Sequence, residues 1–181
     1  MTYRLRCSEV SDTDVLARVA AQAWQETYPS IVPAEALAVA ASVEHRAELR
    51  RGFFDSMTPD WGMFLAETEQ KEVVGFCDCG PSDVLKMFAP SEIFTLYVLR
   101  PEQKRGLGKR LFSAMIKHLA DKGFESAVLD VFMNNEEARR FYEKRGGVQI
   151  AEIRRDVGGV LLPLAVYKWF DLKKAVSANC S

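Results

Sequence analysis

The residues best suited to chemistry lie in one turn, Gln103-Lys104-Arg105-Gly106-Leu107-Gly108-Lys109. Two glycines one residue apart, after a polar bend, let several consecutive backbone N–H groups point into one concavity at a helix N-terminus, where the dipole also favours anions. That is a cradle for phosphate. It lacks the Gly-Lys-Ser/Thr ending of a nucleoside-triphosphate loop and the third glycine of a dinucleotide fingerprint. Two other groups invite a chemical reading and do not sustain one. Cys77 and Cys79 place two sulfurs on one face of a strand, but with no histidine or further cysteine nearby to complete four ligands they read as core, and no metal site is expected. His118 falls at the edge of an apolar helical stripe and reads as a packing residue.

The elements that must hold this turn follow from hydrophobic period. Ile93 to Val98 is almost wholly apolar, as befits a central strand covered on both faces, and it feeds the turn. Leu111, Phe112, Met115, Ile116 and Leu119 then form the wide apolar face of a helix from about Leu107 to Lys122, which Gly123 stops. Ala127 to Phe132 is another buried strand. Asn134 or Asn135 caps a helix over Asn135 to Arg145, and Gly146 ends it. Upstream, Tyr3 to Cys7 alternates as a strand, Ser11 caps an amphipathic helix through Trp24, and Ala34 to Arg51 reads as a second helix. Met63 to Ala66 and Val73 to Cys77 form a hairpin, as do Val148 to Arg154 and Val160 to Trp169. Ser82 to Ser91 stays unassigned. The order is strand, two helices, three strands, helix, strand, helix, two strands, an α+β or mixed α/β arrangement with a parallel element between Ile93 and Phe132.

Two ordered motifs carry a family resemblance. Gln103-Lys104-Arg105-Gly106-Leu107-Gly108 matches Gln/Arg-x-x-Gly-x-Gly/Ala, and Asn135, Ala138, Phe141, Tyr142 and Gly146 match Asn-x-x-Ala-x-x-Phe-Tyr-x-x-x-Gly at the right distance downstream. The chain thereby resembles the GNAT superfamily of acetyl-CoA-dependent N-acetyltransferases over about residues 60 to 170, and more loosely around Trp24 to Tyr28. The resemblance implies a central mixed, mostly antiparallel sheet of about seven strands flanked by about four helices. Residues 1–172 would form one such domain, with 173–181 a frayed tail. It implies that the amides of Lys104, Arg105, Gly106, Gly108 and Lys109 hold the pyrophosphate of acetyl-CoA, that Lys104 or Arg105 reaches the adenosine 3′-phosphate, and that Gln103 and Leu107 complete the cofactor-binding turn. Leu96, Tyr97 and Val98 would pair with the pantetheine arm as with an added strand, once this strand splays from its neighbour near Tyr97. Asn135 would bond the same arm, Ala138 would leave room for the thiol, and Trp24 and Tyr28 would line the acceptor entrance.

Catalytic roles also follow from the resemblance. A lysine-like amine is uncharged in only about one molecule in two thousand at neutral pH, so a general base helps. Glu92, eleven positions before Gln103, matches the base of histone-acetylating relatives, and Tyr142 matches the tyrosine that protonates the departing thiolate. The implied reaction is direct acetyl transfer to a primary amine of a small molecule or protein in a ternary complex. One departure stands out: Gly147 follows Gly146 where a bulky apolar residue is usual, which puts the register of the next strand in doubt.

Length and composition bound the rest. With 181 residues, 48% hydrophobic, the chain suits one domain with a substantial core. A formal net charge of −1 argues against a nucleic-acid partner, although Lys104, Arg105, Lys109, Arg110, Arg139 and Arg140 keep that alternative open alongside an inactive acyl-CoA-binding regulatory module. No signal core and no eighteen-residue apolar run occurs, so a cytoplasmic protein without membrane contact is expected, its four cysteines reduced. Many relatives are dimers, and nothing in the sequence marks a dimer surface.

Overall fold

The computed structural model describes residues 2–179. In chain order the elements are β1 (Arg4–Cys7), α1 (Thr13–Thr27), α2 (Ala34–Ala40), α3 (Val43–Ser56), β2 (Gly62–Glu67), β3 (Val73–Pro81), β4 (Ser91–Val98), α4 (Leu107–Asp121), β5 (Ala127–Phe132), α5 (Glu136–Glu143), β6 (Val148–Val157), β7 (Val160–Trp169) and α6 (Leu172–Asn179). The seven strands make one sheet in the order β1-β2-β3-β4-β5-β7-β6. Every neighbour is antiparallel except β4 and β5, which α4 joins as a crossover and therefore sets parallel.

Each face of the sheet buries a helical stripe. Leu107, Leu111, Phe112, Met115, Ile116 and Leu119 of α4 pack with Cys77, Cys79, Ile93 and Leu129 on one face. Leu16, Val19 and Ala20 of α1 pack on Leu65 and Phe76 on the other. Cys77 and Cys79 are thus reduced core thiols, as their spacing predicts, while Cys180 lies outside the described residues. His118 packs edge-on to Phe64, its Nε2 3.1 Å from the Asp60 carbonyl.

The sheet opens at one place. β4 and β5 share only the pairs Ser91↔Ala127 and Glu92↔Val128, whereas β4 stays paired with β3 to Val98 and β5 with β7 to Phe132. The strands therefore part well before Tyr97, where the sequence places the splay. A bulge supplies the bend: Asp78 faces Thr95 and Cys79 faces Ile93, leaving Phe94 unpaired and stacked on Trp61 at 4.8 Å.

Three expectations are corrected. The helix read over Ala34 to Arg51 is two, because Ser42 turns its hydroxyl to the amide of His45 (3.2 Å) and starts a new helix there. Through Asn179 the expected frayed tail is instead α6, capped by Asp171 Oδ1 accepting from the Lys174 amide at 2.9 Å, with Leu172, Ala175 and Asn179 buried on a stripe against α4, while the last two residues lie outside the described ones. Those two changes bring the α-helices to six among the described residues rather than about four. At Gly147 an added Cβ would lie 2.8 Å from the Trp169 ring, so the indole fills the space that a bulky side chain here would need. The strand that follows carries a bulge against β7 between Gln149 and Ala151.

Candidate active site

The open seam between β4 and β5 is the floor of a cleft of about 1490 Å³. At one end stands the turn into α4. Lys104 (φ 60°) and Gly106 (φ 83°) both adopt left-handed backbone on either side of Arg105, the kind of alternation from which anion-binding nests are built. The strain falls on Lys104, a residue that rarely visits this region. Gly106 is the N-cap of α4 and supplies no side chain to it, and a Cβ there would meet nothing within 4 Å. The helix thus presents its N-terminal amides and dipole to open space. Gln103 Nε2 donates to the Val98 carbonyl at 2.9 Å and ties the turn back to the strand.

Of the predicted residues in this stretch, Gln103, Lys104, Gly106, Gly108 and Lys109 line the cleft. Leu107 does not: its side chain is 1% exposed in the core. Arg105 reaches outward to Glu102 at 3.0 Å.

The strand edge is ready for a partner. Leu99 N–H donates to the Val74 carbonyl at 2.9 Å, so by alternation the polar groups of Leu96 and Val98 face away from β3, toward the seam. Gln103 already occupies the Val98 carbonyl, which leaves Leu96 the more available of the two. Asn135 Oδ1 caps α5 by accepting from the Ala138 amide at 3.2 Å, and Asn135, Ala138, Phe141 and Tyr142 line the same wall. Tyr142 is nine-tenths buried, and burial, with smaller contributions from the phenol of Tyr97 and the carboxylate of Asp130, pushes its hydroxyl well above the usual phenol range. It holds its proton throughout the neutral range.

The other end is built of side chains from distant parts of the chain. Trp24 donates from Nε1 to the Tyr97 hydroxyl at 2.7 Å and meets Tyr28 and Phe132 edge-on. Tyr28 is likewise held protonated by burial. Arg46 of α3 lies over the Trp24 ring at 4.0 Å. Asp130 of β5 pairs with Arg155 of β6; burial raises its carboxyl pKa and Arg155 partly offsets the rise. At the tip of the β6–β7 hairpin an added Cβ on Gly158 would stand 2.9 Å from that of Ala36, so the hairpin abuts α2, and both residues line this end of the cleft. Sequence reasoning named Trp24, Tyr28 and Tyr97 here but missed Arg46, Asp130 and Arg155. Only Asp130 left a signal, as the one charge in the apolar run Ala127 to Phe132.

Glu92 is placed differently from its expected role. It is 6% exposed, beneath the loop that follows β3, and its Oε2 accepts from the Ser82 hydroxyl at 2.9 Å. It is not among the residues lining the cleft. It shares a sheet face with Asp130, and burial first, then that neighbouring charge, raises its pKa against the opposing bond from Ser82. Among the described residues no cluster of His, Cys, Asp and Glu could hold a metal. Nor does any helix among them have the length and apolarity to cross a membrane. Several cations of the would-be nucleic-acid face are engaged within the chain: Arg139 with Tyr167 and Gln149, Arg140 with Glu136, and Arg110 with the Tyr3 carbonyl.

Comparison with known proteins agrees with this geometry. Residues 20–147 match the sequence profile of the acetyltransferase (GNAT) family. An uncharacterized N-acetyltransferase of Bacillus subtilis (strain 168), YuaI, is 26% identical over 168 residues, 93% of each chain. Among solved structures, a GCN5-related N-acetyltransferase of Rhodopseudomonas palustris superposes with a TM-score of 0.71 at 24% identity, covering 93% of this chain and 95% of that one. The PaiA N-acetyltransferase of Thermoplasma acidophilum, solved in complex with coenzyme A, gives a TM-score of 0.66 at 20% identity, covering 93% of this chain and all of that one (100%).

Proposed function

The chain belongs to the acetyltransferase (GNAT) family, and from that premise we propose that it transfers the acetyl group of acetyl-CoA directly to the primary amine of a small molecule. The observation that carries this reading is the coincidence of an uncapped, open helix N-terminus with the seam where β4 leaves β5. Acetyl-CoA supplies the acyl group as a thioester. The residues fit it: amides at Gly106 and Gly108 face the diphosphate, each charge-assisted bond contributing about 1.5–3 kcal/mol, and Lys104 and Lys109 add positive charge. The Leu96 carbonyl accepts from a pantetheine amide as a neighbouring strand would, and the Leu96 N–H is kept for the acyl end. The same N–H polarises the thioester carbonyl, where a donor aimed at developing negative charge contributes about 2.7–4 kcal/mol of barrier lowering.

Two side chains handle protons. Asp130 lines the cleft, and its burial strengthens its hold on a proton, so it takes the proton of the incoming ammonium; Glu92 lies behind the wall and supports the local negative field. Tyr142, protonated at neutral pH, gives its proton to the departing thiolate and is restored by the second proton that the nitrogen sheds as the amide forms. The cysteines of β3 are buried in the core, so acetyl passes to the amine without a cysteine relay. The close packing of Gly158 on Ala36 at the cleft wall favours a small acceptor over a folded protein surface.

Calorimetry with coenzyme A tests donor binding, and thiol release tests turnover. Tyr142→Phe is expected to lower kcat by about 10²-fold, with coenzyme A affinity kept within about twofold. Absence of coenzyme A binding to the wild type would overturn the assignment.

A further inference from the structure

Resting on the acetyl-transfer reading above, we infer that the acceptor amine also carries a carboxylate, and that Arg46 binds it. The inference starts from a charge imbalance in the acceptor half of the cleft. Three arginines stand there or directly behind it. Arg50 pairs with Asp78 at 2.6 Å, and Arg155 pairs with Asp130. Arg46 is 9% exposed and lines the cleft, yet among the described residues no carboxylate stands within ion-pairing distance of it.

What surrounds Arg46 does not balance a cation. The groups that face it closely enough to shift its charge are the phenols of Tyr97 and Tyr28 and the cation of Arg50, and burial is the largest influence, acting against its charge. Its Nε donates to the carbonyl of Ala40, at the C-terminal end of α2, and its plane rests on Trp24. Those contacts fix the stem and the orientation of the guanidinium. They leave its two terminal nitrogens without a hydrogen-bond partner among the described residues. Such a planar fork matches the two oxygens of one carboxylate, and a buried cation is costly until it meets an anion.

The acceptor's two ends then find different partners in the same cleft, a guanidinium without a carboxylate among the described residues and a carboxylate shared with Arg155. The carboxylate goes to Arg46 beside the Trp24–Tyr97 pair, and the ammonium goes toward Asp130 at the seam. The aromatic faces of Tyr28 and Phe132 stand nearby to cover an apolar body. Free amino acids and related amine-bearing acids have this chemistry.

The test is a panel of free amino acids, each assayed by thiol release with acetyl-CoA against its own carboxamide and its decarboxylated amine. The carboxylate member is expected to show a KM at least tenfold below the other two. Arg46→Gln should erase that discrimination and leave coenzyme A affinity unchanged, with Arg46→Lys retaining part of it; if Arg46→Gln does not fold, the wild-type ranking and Arg46→Lys decide. Equal or better use of the amide or amine overturns the inference, as does a preference that survives in Arg46→Gln. A preference for a carboxylate on the acyl group, seen as faster turnover of succinyl-CoA than acetyl-CoA, overturns it too. Coenzyme A binding without turnover of any panel member defeats this inference alone, whereas failure to bind coenzyme A defeats the acetyl-transfer reading.

Discussion

The two ends of the cleft are made in different ways. The α4 end is largely main chain: a strand edge, a left-handed turn and a helix N-terminus, supplied within residues 96–109. The aromatic end is side chains drawn from α1, α3, β4, β5 and β6, far apart in the sequence. A site built of amides tolerates many side chains so long as the backbone path is kept. A site built of side chains depends on the packing of each contributor, so its specificity can change while the fold stays.

Breaking that contrast begins with the packing that places Arg46. Arg50, on the same helix, is buried against Asp78, which also accepts from Thr95 on β4, and the pair anchors α3 to the sheet. Arg50→Ala leaves Asp78 buried without its cation, and a loss of about 3–5 kcal/mol in unfolding free energy is expected; urea denaturation measures it. Acceptor KM should suffer in whatever folded protein remains, more than coenzyme A affinity. An equal loss at both ends would mean that they are not separate structures.

A smaller effect should come from the backbone end. Space is open around Gly106, so Gly106→Val is opposed by its φ of 83°, a conformation costing a side-chain-bearing residue about 1–2 kcal/mol, and by the bulk set before the amides. Coenzyme A affinity should fall at least tenfold by calorimetry, with the order of acceptor preference unchanged. A changed acceptor order would blur the division.

The smallest effect concerns Glu92. Its folded pKa is raised, so the folded state holds a proton more tightly than the unfolded one from the ordinary glutamate value of about 4.3 upward. Wild-type stability therefore declines as pH climbs through that window, and Glu92→Gln removes the decline. The variant should gain on the wild type in urea titrations as pH rises above the ordinary glutamate value of about 4.3. Its turnover should stay within a few-fold. A loss as large as that of Tyr142→Phe would return the base to Glu92.

These contrasts also explain what the sequence made legible. The turn, α4, the seam-forming strand and the cap at Asn135 were readable because each is encoded within about a dozen consecutive residues by glycine placement, period and capping chemistry. Seven strands and the parallel step followed from the same local signals. Arg46 was not readable: on α3 it is one of several charged residues, and only the fold brings it over Trp24. Glu92 was read by its spacing, which gives distance along β4 but not the cover that the loop with Ser82 and Leu85 lays over it. The helix α6 was passed over because eight residues give a short periodic signal, and its stability comes from docking on α4, where the Ser113 hydroxyl donates to the Asn179 carbonyl at 3.1 Å.

The contact between Gly158 and Ala36 has a geometric corollary. On the proposed reading, an acceptor reaching the seam past this contact would enter by one free end, and its usable length would be set by how far that end can travel before its nitrogen meets the seam.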